Sequence, residues 1–188
     1  MYSIISRLFL YIMAKIKIVQ YGNPVLEQPS IEVSDPTSEE IKNLVSDMMQ
    51  ALKSYGDGSA GLSAPQIGVL KQVAICRRMD LEEDSKKNQE IQWEVMINPK
   101  KTYESKEMST RWEGCLSINY GDLFGKVTRP REIEVEYFDL DGNKKKLKAS
   151  EYFAHVVGHE LDHLQGKLFL SYITDPEELY TGEELERL

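Results

Sequence analysis

A five-residue run near the end of the chain, His159-Glu160-Leu161-Asp162-His163, limits what the polypeptide can become more than any other feature. Residues of an α-helix advance by ~100°, so side chains four apart project within about 40° of each other. A helix through this run presents both imidazoles on one side, which is what two nitrogen ligands need to share a metal ion. Glu160, one residue past the first histidine, falls beside that metal position, where a carboxylate can take a proton from water and pass it on. The chain has only three histidines, and two of them occupy this register. A surface helix carrying them by accident is the weaker reading.

The flanking residues supply the helix. Ser150 is a good cap, Phe153, Val156, Val157, Leu161 and Leu164 recur at helical spacing, and Gly166 is a stop signal. A second amphipathic helix follows the start signals Asp35-Pro36-Thr37-Ser38, with Ile41, Leu44, Val45, Met48, Met49 and Leu52 on one face. Strand-like runs lie between the helices at Gln72 to Cys76, Glu94 to Asn98, Ile133 to Asp139 and Lys144 to Leu147. The last two are joined by Asp141-Gly142, a hairpin turn signal. A short third helix is expected after Asp175-Pro176. This order predicts an α+β fold, with mixed or antiparallel sheets packed around a central metal-binding helix.

The 188 residues fit one domain. Residues 1–12, apolar apart from Arg7, read as an N-terminal extension outside the fold, and residues 13–188 as a single catalytic domain. The polar run Arg77 to Glu90 reads as a long loop between two strands. A net charge of −8 argues against sequence-independent nucleic-acid binding, which needs a basic footprint. No apolar run reaches the ~18–20 residues of a membrane span. Two cysteines, Cys76 and Cys115, exclude a disulfide framework.

Two histidines leave a metal site incomplete. His155 extends the ladder, but a helix rises ~12 Å over eight residues, too far for one ion to be held by all three rings. His155 is therefore read as a polar residue on the groove-facing side of the helix. Cys76, closing an apolar strand-like run, fits a buried small hydrophobe. Cys115, in Trp112-Glu113-Gly114-Cys115-Leu116-Ser117, fits that description poorly, and a carboxylate stays open as a third ligand. The small-residue stretch Gly58 to Gly68 admits a second backbone, such as a substrate lying as an extra strand. Gln66 within it offers an amide that can donate to a developing oxyanion.

Taken together, Gly61-Leu62-Ser63-Ala64-Pro65-Gln66, Glu113-Gly114-Cys115-Leu116-Ser117 and His159 to His163 resemble, in this order, the three motifs of the peptide deformylases. Tyr21-Gly22-Asn23-Pro24-Val25-Leu26 is similar to the family's N-terminal segment, and Arg129-Pro130-Arg131 with Val135 to Asp139 to its central hairpin. The resemblance runs from Met13 to about Ile173 and implies a peptide-deformylase-like fold. It implies a metal-dependent hydrolase that removes the N-formyl group from N-formylmethionine of nascent polypeptides, releasing formate. By the same pattern Cys115, His159 and His163 hold one divalent ion with a water as fourth ligand, ferrous iron natively, with zinc, nickel or cobalt as alternatives. Glu160 is then the base, Gln66 and the Leu116 backbone N–H are oxyanion donors, Gly61 pairs with the peptide, and Val156 walls the methionine pocket. The implied partner is an N-formylmethionyl peptide; the ribosome stays open as a second, with no basic docking stretch to establish it. The implied setting is cytoplasmic, with organelle targeting by residues 1–12 as the alternative.

Several positions depart from the family pattern. Ser59 stands where glycine is frequent, Ser63 where alanine is, Asn119 replaces a usual proline, Gly158 replaces a frequent glutamine, and residues 120–125 run about two residues long. Arg129 and Asp162 are expected to pair and fix the helix against the hairpin. Two rival readings share the helix motif: a His-Glu-x-x-His zinc peptidase, and a catalytically silent deformylase-like module that binds peptide ends.

Overall fold

The computed structural model describes residues 16–56, 58–81 and 91–188; the expected extension at residues 1–12 and most of the 77–90 loop lie outside them. Helix α1 spans Glu39–Ser54 and helix α2 Glu151–Leu164, while a short α3 covers Gly182–Leu185. The strands are β1 Gly61–Ser63, β2 Val73–Arg77, β3 Trp93–Glu104, β4 Met108–Gly114, β5 Phe124–Pro130, β6 Glu132–Phe138 and β7 Lys144–Ser150. Five of them form one sheet in the order β1-β2-β3-β6-β7, and β4 and β5 form a separate ribbon. All strand pairs are antiparallel, so of the two expected arrangements the antiparallel one is realised.

Strand β2 shows how the layers are built. Its side chains alternate between two cores: Val73 and Ile75 face α1, with Ile41, Leu44, Met48 and Leu52, whereas Ala74 and Cys76 face α2, with Phe153, Ala154 and Val157. The sheet is thus sandwiched between the two helices, and a strand covered on both faces reads as an unbroken apolar run. Each fully buried valine, leucine or isoleucine contributes roughly 1.5–3 kcal/mol. Met49 and Leu161, expected on the apolar faces, are only half-buried at the margins of these clusters. A third cluster, including Leu26, Cys115, Val127 and Phe169, packs beside the β4–β5 ribbon.

Three parts of the architecture depart from expectation. The β4–β5 ribbon has no counterpart in the sequence reading, because its exposed or half-buried residues Met108-Ser109-Thr110-Arg111-Trp112 lack a clean apolar alternation. Strand β3 runs six residues beyond Asn98 through Pro99-Lys100-Lys101-Thr102-Tyr103-Glu104, crossing two register shifts against β6. Asn98 sits at the first shift with φ of 51°, and its side chain exchanges two 2.8 Å hydrogen bonds with the Val33 backbone. The expected third helix is a 3-10 turn at Pro176–Glu178, with α3 following it.

Both sheet edges are purposeful. Edge strand β7 carries Lys144, Lys146 and Lys148, each paired with a glutamate of β6, and the charges discourage edge-to-edge association. Edge strand β1 is short, and its free side opens onto the cleft described below.

Helix α2 is stopped by Gly166, whose φ is +70° and whose missing Cβ leaves room for the Glu27 backbone. A methyl group there would lie 2.6 Å from the Glu27 carbonyl carbon. Gly166→Ala should therefore cost about 2 kcal/mol or more, measured by thermal or urea denaturation.

Candidate metal centre

Helix α2 brings His159 and His163 to the inner end of the cleft, as the four-residue spacing requires. Cys115 arrives from the loop after β4, and its Sγ lies 3.2 Å from His163 Nε2. One donor atom from each of the three residues lies within 4.8 Å of the others, a grouping that could hold a metal ion. Among the described residues no other such group occurs. His155 and Cys76 are excluded as ligands: His155 points its Nδ1 at Glu113, and Cys76 is fully buried between sheet and helix. Burial, reinforced by the charges of Glu160 and Glu94, pushes the Cys76 thiol well above its ordinary pKa, as befits an inert core residue.

Glu113 organises the site, a role the sequence reading did not assign. Its Oε1 and Oε2 accept hydrogen bonds from Arg129 Nε (2.6 Å) and Nη2 (3.0 Å), and lie 2.9 and 3.0 Å from His155 Nδ1 and His159 Nδ1. A carboxylate can only accept, so each imidazole carries its proton on Nδ1. With Nδ1 held by Glu113, it is Nε2 that His159 turns toward Cys115 and His163, the atom that a metal ion would take in place of a proton. Burial by itself would raise the Glu113 pKa, but His155, His159 and Arg129 together hold it well below the usual carboxylate range. The expected Arg129–Asp162 pair is present at 2.7 Å, and Arg129 also lies over the Tyr172 ring. Gly158, where a side chain is frequent in the family pattern, lets Arg129 Cδ approach to 3.3 Å of where a Cβ would stand.

Burial disfavours charge on both histidines, but their neighbours differ. Cys115 and Glu113 hold His159 well above the ordinary histidine value, whereas His159 and Arg129 add to burial in holding His163 well below it. Coordination takes a thiolate and two neutral imidazoles, so binding a metal ion at this trio would displace protons. One sulfur and two nitrogens form a donor set that suits zinc or ferrous iron, so the residues present fit a metal ion.

Glu160 is buried beside them, and Ser63 Oγ donates to its Oε2 at 2.7 Å. Burial raises its pKa to about 7, with His159 and the Ser63 hydrogen bond opposing the rise. Gly61 makes this possible: a Cβ on it would lie 2.5 Å from Glu160 Oε1. Gln66 is fixed by its own oxygen, which accepts the Ser63 N–H at 2.8 Å, so its Nε2 faces Cys115 Sγ (3.6 Å) and Ser117 Oγ (3.3 Å). The Leu116 N–H donates to no acceptor among the described residues. Its own peptide carbonyl, Cys115 O, is held by Ile118 N–H at 2.8 Å, and in a trans peptide the N–H points the opposite way.

Gln66, Cys115, Leu116, His159 and Glu160 line a cavity of about 340 Å³, with Val156 on one wall and an aromatic rim of Tyr55, Trp112, Tyr120, Phe124 and Tyr152. Residues 58–61 line it along the free edge of β1. Arg77 N–H donates to Ala60 O, so by antiparallel alternation the Gly61 carbonyl turns away from β2 toward the cavity.

Comparison with known proteins is decisive at this point: the family model of polypeptide deformylase matches residues 15–178. The chain belongs to the polypeptide deformylase family. A peptide deformylase of Endomicrobium trichonymphae is 38% identical over 163 residues, covering 87% of this chain and 89% of the relative. The crystal structure of peptide deformylase from Ehrlichia chaffeensis superposes with a TM-score of 0.76 at 30% identity, covering 88% of this chain and 91% of that one. The Synechococcus elongatus enzyme in complex with actinonin gives a TM-score of 0.74 at 31% identity, covering 87% and 81% respectively. This deformylase is accordingly a metal-dependent hydrolase that removes N-formyl groups from nascent peptides, and the peptidase and silent-module readings are not favoured. Among the described residues no helix is long and apolar enough to cross a membrane.

The buried Arg129–Glu113 pair generates a prediction. Arg129→Met leaves Glu113 charged and partly unmatched, and should destabilise the fold by about 3–5 kcal/mol in denaturant titrations. Asp162→Ala removes a less buried partner and leaves Arg129 on Glu113, and should cost about 1 kcal/mol.

Proposed function

We propose that Cys115, His159 and His163 hold one divalent ion, natively ferrous iron, and that Glu160, Gln66 and the Leu116 N–H carry the hydrolysis of an N-formylmethionyl peptide. When bound, the ion supplies Lewis acidity, acidifying a water and polarising the formyl carbonyl. The observation that carries the reading is the position of Glu160: a buried carboxylate, on the same cavity as His159 and Cys115, with its pKa raised to about 7.

A pKa in that range lets one group both accept and return a proton at neutral pH. Glu160 takes the proton of the attacking water and delivers it to the departing amine as the C–N bond breaks and formate leaves. Gln66 Nε2 and the Leu116 N–H donate to the formyl oxygen as charge grows on it, and losing one such donor typically costs ~3 kcal/mol of the barrier. The Gly61 carbonyl and the free edge of β1 receive the peptide backbone as an added strand. Val156, with Trp112 and Tyr152, walls the pocket for the methionine side chain. Emerging chains with formylated ends place the work in the cytoplasm, with the ribosome as their source.

The deciding assay is hydrolysis of a formyl-Met peptide by the ferrous protein. Turnover is expected, with Glu160→Gln lowering kcat by about 10³-fold or more while the metal stays bound. Cys115→Ala and His159→Ala should each abolish metal binding along with activity, and a chelator should do the same to the unaltered chain. Metal-loaded protein without turnover would refute the reading.

Ser63, where the family pattern often has alanine, yields a pH prediction. Its hydroxyl stabilises the ionised form of Glu160, so Ser63→Ala should raise the Glu160 pKa. The acid limb of kcat/KM then moves to higher pH, by roughly half a unit.

A further inference from the structure

The segment at residues 18–21 supplies no group to the chemistry, yet it bonds to both loops that carry the proposed oxyanion donors. Val19 N–H donates to Gln66 O at 2.8 Å, and Tyr21 N–H to Ser117 O at 2.7 Å. Between them the Gln20 side chain reaches the loop after β4 twice. Its Nε2 donates to Leu116 O at 2.9 Å, and its Oε1 accepts from Tyr120 N–H at 3.2 Å.

The place of these bonds in the loop gives them weight. Ile118 N–H donates to Cys115 O and closes a four-residue turn over residues 115–118. The central peptide unit of such a turn joins Leu116 C=O to Ser117 N–H and takes no part in the closing bond. Its rotation is what separates type I from type II turns. On the far side, Asn119 and Tyr120 follow one another with φ of 47° and 54°, a left-handed conformation that residues with side chains seldom adopt. A rotatable unit next to two strained residues needs an outside hold, and Gln20 bonds to both parts.

We propose that Gln20 is a positioning residue for the deformylation reaction. By fixing the central peptide unit it sets ψ of Leu116 and φ of Ser117, and with them the place of Ser117 beside Gln66. Ser117 Oγ accepts a hydrogen bond from Gln66 Nε2 at 3.3 Å, so the seat of that hydroxyl helps aim the amide. The proposal rests on the reading of Gln66 as a donor to the formyl oxygen.

The test compares three variants of the metal-loaded full chain on a formyl-Met peptide. Gln20→Leu keeps the bulk and removes both bonds; Gln20→Glu keeps the acceptor for Tyr120 N–H and removes the donor to Leu116 O; Gln66→Leu removes a proposed donor outright. The two Gln20 variants should lower kcat about tenfold, with KM within about twofold and one metal per chain retained. A merely structural role would lower thermal stability and leave kcat alone. Unchanged kcat, or a loss confined to KM or metal content, overturns the proposal. Should Gln20→Leu fail to fold, the near-isosteric Gln20→Glu decides. A kcat loss in Gln66→Leu with both Gln20 variants unaffected defeats the positioning role and spares the donor reading. Full kcat in Gln66→Leu removes the donor reading and this proposal with it.

Discussion

The charge on Glu113 is the constraint around which the site is assembled. A buried carboxylate is costly unless its oxygens are satisfied, and here both are, by a guanidinium and two imidazoles. The same contacts set the tautomer of His159 and tie helix α2 to the β4–β5 ribbon through Arg129 and Asp162. Structural and chemical requirements therefore converge on one group. Aiming the ligating nitrogen of the histidine and holding the helix in place are the same interaction.

The second dependence is steric. Glu160 can lie against β1 only because Gly61 has no side chain, and Ser63, two residues on, turns its hydroxyl to the same carboxylate. The edge strand thus supplies space, a hydrogen bond to the base, and a free backbone edge facing the cavity. Three segments far apart in the chain meet within a few ångströms, and each is anchored by packing rather than by its own local structure. The N-terminal residues Val19 to Tyr21 add a fourth, bonded to two of the other three.

Much of this was legible beforehand where the signal is local. The two helices, the β6–β7 hairpin and the histidine register follow from periodicity and turn chemistry within about twenty residues. Cys115 stood out from Cys76 because its neighbours lack the apolar character of a core strand. The β4–β5 ribbon was not legible: its strands are half-exposed, and their pairing partner is defined only by the fold. Strand β3 runs past its apolar part for a related reason: Lys100 and Lys101 carry no strand signal and are held as strand by β6.

The sequence by itself determined which donors this chain owns, that two of them share a helix face, and which apolar faces must be buried. Those properties are periodic, and periodicity is written into the order of residues. Only the tertiary structure decided that Glu113 serves four nitrogens at once, that His155 faces this carboxylate rather than a metal, and that Gln20 braces a turn almost a hundred residues away. Such contacts join segments whose separation in sequence carries no information about their distance in space. Burial, which makes each of them matter, exists only after the chain has closed around them.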